Sequence, residues 1–95
     1  MMSKANEISF GDESNAHLED ELLDASGLSC PLPVLKTRKR LKGMEAGKML
    51  HVLATDPASF VDIPHFCNVT GHDLVKWYED DGTFHYHIRR GEGRV

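Results

Sequence analysis

The run Lys48-Met-Leu-His-Val-Leu-Ala-Thr55 is nearly continuously apolar. Such a run fits a central strand, covered on at least one face. Its flanks organise the rest of the chain. Upstream, Glu21–Ala25 reads as a short strand, and Ser26-Gly27-Leu28 leads out of it, with Gly27 free to take an unusual dihedral. A helix is expected from Pro31 or Pro33 to about Lys42. Gly43 suits its C-cap, and Lys39, Arg40 and Lys42 suit the negative end of its dipole. Downstream, Asp56-Pro57 is a strong helix start, an N-cap followed by proline at the first helical position. Phe60, Ile63, Phe66 and Cys67 then form an apolar stripe at helical spacing, and Gly71 ends it. Pro64 should kink this helix or break it into two short pieces.

The segments 73–78 and 83–88 alternate as strands, and Asp81-Gly82 between them is a hairpin signal. The order is therefore β-α-β-α-β-β. The first crossover makes its two strands parallel, and the hairpin adds an antiparallel pair. This predicts a two-layer α/β sandwich: a four-stranded mixed sheet with two helices on one face. Phe84, Tyr86 and Ile88 should face the core, leaving His85 and His87 on the wet face as exposed side chains; no metal site is expected there. His51, His65 and His72 look scattered.

The 95 residues make one domain. Residues 1–18 read as a disordered acidic tail, 19–91 as the domain and 92–95 as a C-terminal tail. The net charge of −4 argues against direct nucleic-acid binding, which needs several Lys and Arg contacts to phosphates. No basic start with an apolar run and no membrane-length segment is present, so a cytoplasmic protein with no membrane partner is expected, and as a monomer. The cytoplasm keeps Cys30 and Cys67 as thiols.

Chemistry concentrates at Cys30, in Ser29-Cys30-Pro31-Leu32-Pro33. It sits in a strand-to-helix connection, where the positive end of the helix dipole should lower a thiol's pKa. Pro31 and Pro33 carry no N–H, which leaves the Leu32 N–H as the main donor expected for the sulfur. The prolines also stiffen the backbone and hold Cys30 outside the helix body. No His or Asp adjacent in sequence offers a base. Cys67, on the apolar stripe, fits a buried core residue better than a resolving thiol.

The helix after Cys30 should turn Val34, Thr37 and Leu41 to the sheet. Leu32, Leu35, Lys39 and Lys42 then point elsewhere, with Arg38 at the boundary. Leucines beside basic groups next to a reactive atom suggest docking of an acidic partner. Asp56 should lie near Cys30, because connections leaving parallel strands meet at one sheet edge, and is a candidate for partner recognition.

The residues Leu23-Asp-Ala-Ser-Gly-Leu-Ser-Cys30-Pro-Leu-Pro-Val-Leu35 resemble the signature of the TusA/SirA family of sulfur-carrier proteins. Thr37-Arg38-Lys39, Ala54-Thr55-Asp56-Pro57, Asp62-Ile63-Pro64-His65-Phe66-Cys67 and Tyr86–Gly91 resemble its other blocks. The resemblance covers 22–91 and implies a fold like the C-terminal domain of translation initiation factor three. It implies a sulfurtransferase without a separate cofactor, carrying sulfur covalently as a persulfide on Cys30. The implied partners are a cysteine desulfurase or rhodanese-like donor and a downstream acceptor protein. Family end products include 2-thiouridine in tRNA; other members serve sulfur oxidation or cofactor assembly. A thiol redox or regulatory interaction module is the alternative.

Overall fold

The apolar run forms strand β2 (Met49–Ala54), whose side chains alternate between half-buried and fully buried. The computed structural model describes residues 20–92, so the tail expected over 1–18 lies outside the described residues. Before β2 come strand β1 (Glu21–Ala25) and helix α1 (Leu32–Lys42). After it come helix α2 (Ser59–Thr70) and strands β3 (Asp73–Asp80) and β4 (Thr83–Arg89). The sheet order is β1-β2-β4-β3, with β1 parallel to β2 and the other neighbours antiparallel. The mixed four-stranded sheet with two helices is the α+β architecture expected. At the hairpin Asp81 and Gly82 both adopt positive φ, 53° and 84°, the geometry that a two-residue turn needs to follow strand twist.

One face of the sheet makes the core. Leu23, Leu50, Val52, Ala54, Tyr86 and Ile88 pack there with Leu41 of α1 and Ile63, Phe66 and Cys67 of α2. Burying each large apolar side chain contributes about 1.5–3 kcal/mol. Buried hydroxyls are satisfied: Thr37 donates to the Pro33 carbonyl at 2.7 Å, and Ser59 and Tyr86 share a 2.7 Å hydrogen bond.

Three local expectations are corrected. Of the two outcomes expected at Pro64, the break into two pieces does not occur: helix α2 is continuous from Ser59 to Thr70. Proline there removes one intrahelical donor, and the flanking Ile63, Phe66 and Cys67 are held by the core. Asp56 does not cap the helix itself, which starts after Ala58. Its Oδ1 accepts from the Ala58 N–H at 3.1 Å, closing a turn just before it. Finally, His85 and His87 are half-buried rather than exposed. Across the register His51 faces His87, and their rings stack with centroids 4.1 Å apart. The Tyr78 ring lies on that of His85 at 4.6 Å, and His51 Nε2 meets His85 Nδ1 at 3.0 Å.

His72 is also buried and fastens the end of the domain: its Nδ1 accepts the Gly91 N–H at 2.9 Å. Gly91 lies so close to the Gly71 carbonyl that an added Cβ would overlap it. Burial, then the Arg90 charge, holds the His72 pKa below its ordinary value of 6.5. Below that ordinary value the unfolded chain takes up a proton that the folded chain resists, so stability falls as pH falls towards the depressed folded value. The denaturation midpoint is expected to drop between about pH 7.5 and 5.5, and to drop less in His72→Gln; denaturant titrations at the two pH values check this.

Candidate functional site

Parallel pairing of β1 and β2 brings their C-terminal ends side by side, with Ala25 opposite Ala54. The loop carrying Cys30 and the loop leading to α2 therefore meet at one sheet edge. They are joined by two hydrogen bonds. The Gly27 N–H donates to Thr55 Oγ1 at 2.8 Å, with Gly27 at φ +81°, a conformation that side chains disfavour. The Cys30 N–H donates to Asp56 Oδ2 at 2.6 Å. Asp24 Oδ1 accepts the Ser26 N–H at 3.0 Å and braces the start of the loop. Asp56 is thus shared by two loops, and its two backbone donors hold its pKa below the ordinary carboxylate value.

Cys30 is exposed and precedes α1, with Pro31 at the N-cap. Its thiol does not find the donor expected from the sequence. The Leu32 N–H instead donates to the Ser29 carbonyl at 2.8 Å, closing the turn around the prolines. The sulfur is itself the donor: Cys30 Sγ–H points to Asp62 Oδ2 at 3.1 Å. A carboxylate that accepts from a neutral thiol favours the protonated form. The Cys30 pKa is accordingly raised, first by the Asp62 hydrogen bond, then by partial desolvation and the charges of Asp62 and Asp56. This corrects the expectation of a lowered pKa.

Asp62 is the site residue that sequence reasoning missed. It lies in the first turn of α2, just before the core residue Ile63. An acid in that turn was a usable signal once the two loops were known to share an edge.

Leu32 and Leu35 are 44% and 50% exposed. Leu35, Arg38, Lys39 and Lys42 line one shallow depression on α1. On the other flank, Pro31, Val34, Asp62, Phe66 and Val69 line an open groove of about 330 Å³ between the helices. Cys67 belongs to neither: it is buried, and burial pushes its thiol up to about 12. No helix among the described residues is long and apolar enough to cross a membrane.

The fold and site define a small two-layer domain that presents one exposed thiol on a braced loop at a sheet edge. Comparison with known proteins places it further. A family model described as sulfurtransferase TusA matches residues 21–90, and the chain belongs to this family. A sulfur carrier protein TusA of Pseudomonas putida strain F1 is 49% identical over 71 residues, covering 75% of this chain and 89% of the relative. One from Allochromatium vinosum is 48% identical over 71 residues, covering 75% and 93%. The crystal structure of a SirA-like protein from Desulfitobacterium hafniense superposes with a TM-score of 0.65 at 29% identity, covering 75% of this chain and 97% of that one.

Proposed function

We propose that this protein carries sulfane sulfur as a persulfide on Cys30. It takes the sulfur from a cysteine desulfurase or a rhodanese-like donor and passes it to an acceptor protein in the cytoplasm. The observation that carries this reading is the placement of Cys30: exposed, braced by Asp56 and flanked by open surface on both helices. Partners can reach the thiol directly, and the cargo needs no cofactor because it is held by a covalent bond. The Leu35, Arg38, Lys39 and Lys42 surface suits an acidic partner. Thiolation of tRNA to 2-thiouridine is one destination for the sulfur; the acceptor decides which.

Membership of the sulfurtransferase family supports the reading. The redox alternative, with a Cys30–Cys67 bridge, is disfavoured because Cys67 is in the core while Cys30 is at the surface.

The test incubates the protein with a cysteine desulfurase and cysteine, then measures intact mass. One added sulfur is expected on the wild type and none on Cys30→Ser. Equal loading of both proteins, or no loading of the wild type, overturns the reading.

A further inference from the structure

Resting on the persulfide reading, we propose that Asp62 is a catalytic residue that accepts the Cys30 proton during sulfur transfer and returns it to the departing thiol. The carboxylate touches the reacting atom, with Oδ2 3.1 Å from Sγ in the orientation of a thiol-to-carboxylate hydrogen bond. It is held there independently of the thiol, because Asp62 sits in α2 and its N–H donates to the Ala58 carbonyl at 2.9 Å. Two negative groups surround the thiol, yet they do different jobs. Asp56 receives backbone donors and sets the loop, whereas Asp62 meets the sulfur.

The chemistry explains why a carboxylate belongs there. A thiolate attacks a persulfide, but a thiol is mostly protonated near neutral pH, and the Asp62 contact shifts Cys30 further towards that form. A carboxylate is a far weaker base than a thiolate, so it cannot hold the proton of an idle thiol. It can hold that proton while one S–S bond replaces another. Sγ bonds to the outer sulfur of the donor R–S–SH as its proton moves to Asp62 Oδ2. The donor S–S bond breaks, and its electron pair stays on the inner sulfur. The thiolate R–S⁻ then takes the proton from Asp62. The sum is Cys30–SH + R–S–SH → Cys30–S–SH + R–SH, and no oxidant or reductant is consumed. Unloading to an acceptor thiol is the same exchange in reverse.

This role and that of a mere brake on the thiol make opposite predictions for Asp62→Asn. Both predict faster alkylation by iodoacetamide, because loss of the carboxylate releases the thiolate. A brake predicts faster sulfur loading as well. A proton relay predicts slower loading near neutral pH, by about 100-fold, the lower end of the range for general acid–base catalysis.

Glutathione persulfide serves as the probe, with intact mass sampled over time for the wild type, Asp62→Asn and Asp62→Glu at several pH values. The expected result is faster alkylation with slower loading in Asp62→Asn, a loading gap that closes as pH rises and the thiolate forms unaided, and partial recovery in Asp62→Glu. Loading as fast as wild type, or a gap that does not change with pH, overturns the proposal. Failure of the wild type to load would instead strike the persulfide reading on which it rests.

Discussion

Under native conditions at about pH 8, iodoacetamide is expected to add one group to the wild-type chain and none to Cys30→Ser. In denaturant the same reagent should add two groups and one. The two thiols differ in access and in ionisation. Cys30 is exposed at the tip of α1, and although Asp62 raises its pKa, solvent and reagent reach it. Cys67 is 2% exposed, and burial holds its pKa at about 12. About one Cys67 thiol in 10⁴ would be ionised at pH 8, and even that fraction is screened by the core. The rate ratio should therefore exceed about 10³, and Cys67 labelling should follow unfolding. Intact mass before and after denaturation checks this. Labelling of Cys67 in the folded chain at a comparable rate would contradict the packing of α2 on the sheet.

Leu41→Ala should destabilise the domain by about 2–5 kcal/mol. Leu41 is fully buried where α1 meets the sheet, among the largest enclosed side chains. Its carbonyl also accepts from Arg90 Nε at 3.0 Å, so a shift of α1 would be felt at the end of the chain. Domains of this size have total stabilities of only roughly 4–11 kcal/mol. A single truncation here therefore removes much of the margin, and a clearly lowered denaturation midpoint is the expected phenotype. Urea titration of wild type and variant measures the change in midpoint. A shift below about 1 kcal/mol would mean that the site collapses without a cavity, which the complete burial of Leu41 in the core argues against.

Much of the fold was legible because it depends on local periodicity. The alternation of Phe84, Tyr86 and Ile88, the apolar β2 run and the Asp81-Gly82 turn each declare their element without knowledge of neighbours. What failed needed register or competition. The stack of His51, His85, His87 and Tyr78 exists because β2 and β3 flank β4, an order that no single strand announces. The thiol's raised pKa is a matter of competition. The Leu32 N–H, the donor expected for the sulfur, is taken by the Ser29 carbonyl. Asp62, 32 residues away in the chain, then meets the sulfur. Asp56 was placed near Cys30 by topology alone, since parallel strands deliver their exits to the same edge. The bond it makes there could not be read from one dimension.

The two sides of the sheet are chemically separate. One carries the helices and, at its edge, the thiol; the other carries stacked rings and Lys76, whose Nζ lies 5.3 Å from the Tyr78 centroid. The second side offers a handle for instrumentation. A fluorophore or surface tether attached at Lys76 would leave Cys30, Asp56 and Asp62 untouched, with the sheet between label and helices. Delivery of cargo could then be watched on an immobilised molecule whose working end faces solution.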